Sequence, residues 1–463
     1  MLNHAIFQYR LLPSVLPVNV RTEVAIQALD GRQNFSKDSS YEVVVLPLTR
    51  RSFVSEKNGD KERAALAEGI GAERAARLGN QGDSVQRIPA RLVGDRLCFS
   101  YTPEKEESYT VFIEENGECR PVELEFYALE KDLYALRPLK GDFHAHSCRS
   151  DGQELPAVVA ASYRSAGFDF NVLSDHGRYY PSQEMIDAYK DVRHDLLLVN
   201  GEEVHAPQNY VHVIHFGGRY SINEIFQKDP ALFYREVTDI AEHEEIPYPQ
   251  NPFLYATNRW LVRKIREAGG LAVYCHPHWI YNGQHNDPDE LSRLFLQNRE
   301  FDAFELLGGQ TRHENDLQVA LWNDVRAEGV YVPPLGASDE HGTLDAGLFN
   351  QEFTIVFARE NSVSAIIDAV RAGNCVAVEY SHKQAQPLYY NKDEDAYSVH
   401  GTYRLVAYAR FLMRSYFPCT AALAAPEGQL MREYILGVPN AAEALEALSG
   451  RTEGCYRALF GRS

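Results

Sequence analysis

Through the first 135 residues, apolar and polar positions alternate with a period of two: RTEVAIQAL (21–29), YEVVVLPL (41–48), RIPARLVGDRLCFSY (87–101), SYTVFIEE (108–115) and VELEFYAL (122–129). Such alternation predicts half-buried antiparallel strands, gathered here in a small sandwich-like domain. Lys61 to Leu78 breaks the pattern. KERAALAEGIGAERAARL is rich in Ala, Glu and Arg and predicts a helix inserted between strands, weakened at Gly69 and Gly71.

From Leu139 to about Tyr380, short apolar runs alternate with amphipathic stretches, the pattern of repeated βα units around a parallel sheet or barrel. The predicted strands are 170–176, 196–204, 210–217, 271–278, 301–307, 331–339, 353–358 and 375–380. Predicted helices fall between them at Leu155 to Ala166, Ala231 to His243, Asn258 to Ala268, Pro288 to Gln297, Glu314 to Glu328 and Ser362 to Ala372. The polar stretch after Ser381 reads as a linker. Helical periodicity returns at Tyr403 to Tyr416, Glu427 to Leu436 and Ala441 to Leu448. The pattern thus divides the chain into a β-rich domain (1–135), an α/β domain (136–382) and a helical C-terminal extension (383–463).

Composition adds exclusions. With 463 residues, 44% of them hydrophobic and 24% charged, the chain has ordinary globular make-up and length for two or three domains. A net charge of −19 repels nucleic acid and anionic membrane and favours a small-molecule substrate. The N-terminus interrupts its apolar stretches with His4, Gln8 and Arg10, unlike a secretory signal, and nowhere do enough apolar residues run together to span a membrane. Seven cysteines, odd in number and never spaced as CxxC, argue against a disulfide scaffold or a zinc ribbon and fit a reducing cytoplasm.

The chemistry is concentrated at the C-terminal ends of the predicted strands, the face on which barrel enzymes build their sites. GDFHAHSCRSDG supplies His144, His146 and Asp151; SDH supplies Asp175 and His176. GEEVHAPQNYVHVIHFGG supplies Glu202, Glu203, His205, His212 and His215, CHPHW supplies His276 and His278, and GASDEHG supplies Asp339 and His341. Any one of these histidines alone reads equally well as a hydrogen-bonded core or surface residue. Five clusters on one face point instead to imidazole and carboxylate ligands for divalent ions, in a number exceeding the three or four protein ligands of a single site.

Taken in order, these motifs resemble the PHP (polymerase and histidinol phosphatase) superfamily over roughly Leu139 to Tyr380. Its HxH opening and following acid match His144, His146 and Asp151; its S-D-H motif matches Ser174, Asp175 and His176; its G-x-E strand end matches Gly201 and Glu203. His212 matches the next histidine, with His205 and His215 competing in a longer His-rich segment. CHP, with His276, stands for the usual AHP, and Ala337 is inserted in the motif that carries Asp339 and His341. The resemblance implies an α/β fold, a distorted (β/α)7 barrel of PHP type, carrying two or three divalent ions (Zn, Mn or Fe). A first ion would use His144, His146, Glu203 and Asp339; a second would share Glu203 and use His212 and His276; a third would use Asp151, His176 and His341. The implied activity is a metal-dependent phosphoesterase that hydrolyses a phosphomonoester or small nucleotide by attack of a metal-bridging hydroxide.

Two further residues are candidates for catalysis. Asp175 could orient a ligand or the hydroxide, or act only as a strand-end hydrogen-bond acceptor. His278, two residues past His276 and so on the same side of a strand, could protonate the leaving alkoxide. Arg149 and Arg178 flank the motifs, and a solvated surface role suits both. Glu203→Gln is expected to abolish activity with the fold intact, and Glu202, on the opposite side of its strand, is expected to tolerate the same change. Two other function classes compete: a metal-dependent C–N hydrolase of amidohydrolase type, and a metal-stabilised binding protein whose sandwich does the recognition. The first usually needs a carbamylated lysine or a lone aspartate base, and no lysine lies in the five clusters.

Overall fold

Strands form where apolar and polar residues alternate in the N-terminal region, because only one face of each has a core to meet. The computed structural model describes residues 8–29, 34–47, 86–309, 311–344, 348–381 and 396–462. The helix expected at Lys61 to Leu78, and most of the expected linker after Ser381, lie outside the described residues. Two compact units divide the chain: 1–135 with 410–418 and 453–463, and 136–409 with 419–452. The chain beyond Tyr403 is thereby shared between them.

In the first unit eight strands run in the order Tyr9–Leu12, Thr22–Ala28, Arg96–Tyr101, Gln86–Val93, Tyr41–Pro47, Ser108–Glu115, Glu118–Leu129, Val15–Pro17. Gln86–Val93 changes partner along its length. Its first half pairs with Tyr41–Pro47 and its second half with Arg96–Tyr101, so it links two groups of strands. Val24, Ile26 and Phe99 from one group share a buried core with Val43, Val111, Ile113 and Phe126 from the other.

The second unit is a mixed α/β structure with a nearly closed, barrel-like sheet. Six strands run in the order Leu197–Val199, Phe170–Val172, Arg137–Asp142, Glu352–Ala358, Cys375–Ser381, Ala396–His400. Five more run Gly201–Val204, Val213–Phe216, Leu271–Tyr274, Ala303–Gly308, Pro334–Ala337. Isolated bridges between His176 and Glu203 and between Ala145 and Glu340 join the two sets, and Leu139, Phe143, Phe170, Ile214, Phe216 and Val273 pack in a common core.

Strand direction departs from the expected βα repeat. Arg137–Asp142, Phe170–Val172 and Leu197–Val199 are parallel, as are Leu271–Tyr274, Ala303–Gly308 and Pro334–Ala337. Gly201–Val204 and Leu271–Tyr274, however, both pair antiparallel with Val213–Phe216, and Glu352–Ala358 runs antiparallel to both its neighbours. An apolar run buried on both faces looks the same in either direction, so the pattern could not register the reversal.

Helices cover the sheets where the amphipathic stretches lie, and local chemistry sets their starts. Thr311 and Glu314 form a capping box for Arg312–Ala327, and Ser362 caps Val363–Arg371 by accepting from the Ala365 amide. Asn251 caps Pro252–Glu267, which begins well before the expected Asn258, because Leu254, Tyr255 and Ala256 extend its buried face. Tyr180–Tyr189 and Arg451–Phe460 are helices that the periodicity did not reveal. No helix among the described residues is long and apolar enough to cross a membrane.

Candidate metal centre

Gly201–Val204 is buried on both faces, so its alternation places two carboxylates in two different interiors. Gly201 permits the close packing behind them: a Cβ there would lie 2.4 Å from Val172 Cγ2 and 2.8 Å from the His215 carbonyl oxygen. Glu203 faces the strand ends and is fully buried. Its Oε2 lies 2.6 Å from His176 Nδ1, 3.5 Å from His144 Nε2, 3.5 Å from His205 Nε2 and 3.7 Å from His146 Nε2. Its Oε1 lies 2.8 Å from His212 Nδ1 and 3.5 Å from His276 Nε2. Six imidazoles thus surround one carboxylate, yet neither of its oxygens has a hydrogen bond of acceptable geometry.

The reversed direction of Val213–Phe216 shows which histidine of the His-rich segment faces this centre. His212 precedes the strand and so enters at the same end as Glu203, whereas His215 is carried to the opposite side and faces Glu202. His205, just past Gly201–Val204, also reaches the centre, 2.9 Å from His176. Asp339 Oδ1 lies 3.2 Å from His144 Nε2 and 3.0 Å from His146 Nε2. Asp151 completes the other side, 3.3 Å from His176 and 3.4 Å from His341. The structure therefore brings together all nine expected ligand positions. His146 and His176 also stand between groups expected to be separate, since His146, Asp151, His176 and His341 converge, and so do His176, Glu203 and His205.

The chemistry of this donor set fits divalent ions. Nitrogen and carboxylate ligands converge in overlapping groups of three and four, and several of their polar atoms are buried without partners, among them His144 Nε2 and His212 Nδ1. Burial opposes ionisation of Glu203, but the field of His212 and His144 holds its carboxyl well below the usual range. Burial likewise opposes charging His276, and Glu203, Glu305 and Asp339 overcome it, raising that imidazole to about 9. His212 goes the other way: burial dominates and brings it down to about 4, leaving a neutral ring. His276 and Asp339 both have positive φ, 26° and 46°, a strained conformation that typically costs about 1–3 kcal/mol and gathers at functional sites.

Two side chains at the centre escaped the sequence reading as contributors, and a third was left open by it. Glu305 accepts from His144 Nδ1 at 2.9 Å and so fixes that ring's orientation. Its signal was an acid set between Phe304 and Leu306 in the largely apolar run FDAFELL. Cys275 stands with His144 and His276, its thiol kept protonated by burial. His205 was visible but indistinguishable from its neighbours until strand direction was known.

Other expectations resolve differently. The Asp175 carboxylate accepts from the amides and hydroxyls of both Ser147 and Ser150, at 2.7–3.1 Å, and so braces the turn after His146. His278 does not follow His276 to one side, because the strand ends at Tyr274 and regular alternation ends with it. It faces Asp289 and His285 instead. Glu202 lies on the opposite side of its strand from Glu203, as expected, and there it is fully buried and accepts from Ser221 Oγ (2.7 Å), Asn223 Nδ2 (2.8 Å), His215 and the Ile222 amide. The strand's second face is an interior too, which period two alone does not disclose. Arg149 makes a two-pronged ion pair with Glu184, and Arg178 is exposed.

No family model matches the chain, and no curated protein matches it. Among solved structures, a two-domain protein from Bacteroides vulgatus described as containing a predicted PHP-like metal-dependent phosphoesterase is 17% identical, with 58% of this chain and 76% of that one covered and a TM-score of 0.37. A protein from Bifidobacterium adolescentis described as a putative metal-dependent phosphoesterase is 17% identical over 45% of this chain and 91% of its own, with a TM-score of 0.33. A Chromobacterium violaceum protein named as an amidohydrolase is 19% identical over 44% and 87%, with a TM-score of 0.28.

Proposed function

We propose that the chain is a metal-dependent phosphoesterase acting on a small phosphorylated molecule, a phosphomonoester or small nucleotide. The observation that carries this reading is the buried Glu203 carboxylate, with imidazoles facing both of its oxygens and the Asp339 and Asp151 carboxylates on either side. His144, His146, Glu203 and Asp339 would hold one ion, Glu203, His212 and His276 a second, and Asp151, His176 and His341 a third. When bound, such ions acidify water and offset the negative charge that builds on phosphoryl oxygens.

The chain's own residues supply position. Glu203 links the groups from a rigid strand, and Glu305 holds the His144 ring by its Nδ1 so that Nε2 faces inward. Asp175 fixes the 147–150 turn and with it the approach of Asp151. Ions held by these groups would offset the charge of a phosphate against a net protein charge of −19.

The test is elemental analysis of the purified chain alongside a panel of phosphate esters. Two or three ions per chain are expected, with turnover abolished by chelation and restored by Zn²⁺ or Mn²⁺. A fully loaded chain that leaves every phosphate ester intact but cleaves amides would replace this reading with that of a C–N hydrolase.

A further inference from the structure

We propose that His278, His285 and Asp289 form a separate binding site for a zinc-type divalent cation, outside the Glu203 centre. This site does not depend on the phosphoesterase reading. His278 Nε2 lies 3.4 Å and His285 Nδ1 3.7 Å from one and the same atom, Asp289 Oδ1, and the two rings stand edge to face with centroids 5.1 Å apart. A tetrahedral ion with bonds of about 2.0–2.2 Å requires its ligand atoms to be about 3.3–3.5 Å apart. Charge-assisted hydrogen bonds draw in to about 2.7–2.9 Å. The 3.4 Å separation falls within that window and the 3.7 Å one just beyond it, and both are longer than a charge-assisted hydrogen bond, so the set suits ligands around a shared ion better than a histidine–aspartate pair.

Burial supports this. His278 is 4% exposed, and its Nδ1 has no partner, so the Nε2 that faces Asp289 is the polar outlet of a buried ring. A buried imidazole with so little compensation is costly unless it ligates. Asp289 is 80% exposed at the start of helix Asp289–Gln297 and His285 is half-buried, which leaves solvent access for a water to complete the coordination shell.

The backbone already holds the three residues in place. The Asn286 amide donates to the Trp279 carbonyl at 2.8 Å, the Asp287 amide to the Pro277 carbonyl at 3.0 Å, and Tyr274 Oη to Asp287 Oδ2 at 2.6 Å. An ion at this site would tie the short hairpin Ile280–Tyr281 and Gln284–His285 to the helix that follows it. Trp279 leads into this hairpin, its ring centroid 6.0 Å from those of both His212 and His276, so the tie would stiffen a segment beside the main centre.

The experiment counts Zn²⁺ by equilibrium dialysis and elemental analysis on the full chain after chelator treatment. The double variant His285→Ala/Asp289→Asn changes two surface positions and should keep its circular dichroism spectrum. It is expected to bind one Zn²⁺ fewer than the parent chain. The same pair of changes introduced into His144→Ala/His146→Ala should again remove one ion. That second comparison separates this site from the main centre, whether or not the main centre hydrolyses anything. An unchanged count in both backgrounds would overturn the proposal.

Discussion

Glu202 and Glu203 are neighbours on one strand and both fully buried, yet they do opposite things. Glu202 is met by a hydroxyl, a side-chain amide, a backbone amide and one imidazole, four donors that consume its lone pairs. Glu203 is met by six imidazoles and by no well-aligned donor. A buried carboxylate that satisfies its surroundings is structure, whereas one surrounded by lone-pair donors is a place prepared for cations. Burial and residue type are identical in the two cases. Only the partners differ.

The sharpest break of this contrast is Glu203→Gln. An amide cannot serve as an anionic ligand, so ions should be lost and phosphate ester turnover should fall by at least about 10³-fold while the fold persists. Retained ion content and turnover would show that Glu203 is merely another structural acid.

Asp287 extends the comparison to a buried acid with few donors. Burial raises its carboxyl to about 7 despite hydrogen bonds from Tyr274 and Asn286. Between about pH 4 and pH 7 the unfolded chain loses this proton while the folded chain keeps it, so stability falls as pH rises through that window and levels off above it. Asp287→Asn escapes this loss. Denaturant titrations in chelator should show the variant gaining on the parent by up to about 4 kcal/mol as pH rises from about 4 to above 7. A constant difference across that range would refute the shift.

Glu202→Gln should cost stability rather than function, because its new amide hydrogens face existing donors. A loss of about 1–3 kcal/mol with unchanged ion content is expected from denaturant titration and elemental analysis. Loss of ions in this variant, rather than in Glu203→Gln, would mean the two faces of the strand are assigned the wrong way round.

The mildest change is Asp175→Asn, which weakens the bracing of Ser147 and Ser150. Ion affinity should drop about 10–100-fold, measured by competition with a chromogenic chelator, with melting little altered. An unaltered affinity would remove Asp175 from any positioning role.

The ligand types were legible in the sequence because ion binding demands particular side chains, and His144, His146, His176 and Glu203 announce themselves wherever the backbone goes. Directions were not. Val213–Phe216 reads the same forwards and backwards as an apolar run, and only its reversal distinguishes His212 from His215. The burial of Glu202 was hidden for a related reason, since alternation tells which side a residue takes but not what lies there. His278 was misplaced because regular alternation stops at Tyr274, two residues before the first histidine of that motif. Glu305 sits in a strand whose apolar neighbours concealed a single polar contact.

Six rings around a fixed anion also make the centre an ion exchanger. In the cation-free chain His276, raised to about 9, carries a proton at neutral pH, and the Asp339, Glu305 and Glu203 carboxylates push His144 in the same direction. A divalent ion can enter only as those protons leave. Loading should therefore acidify an unbuffered solution, and apparent affinity should climb about tenfold per pH unit for each proton displaced. Acid would then release the ions without unfolding the chain, by returning to the imidazoles the protons that the metal took from them.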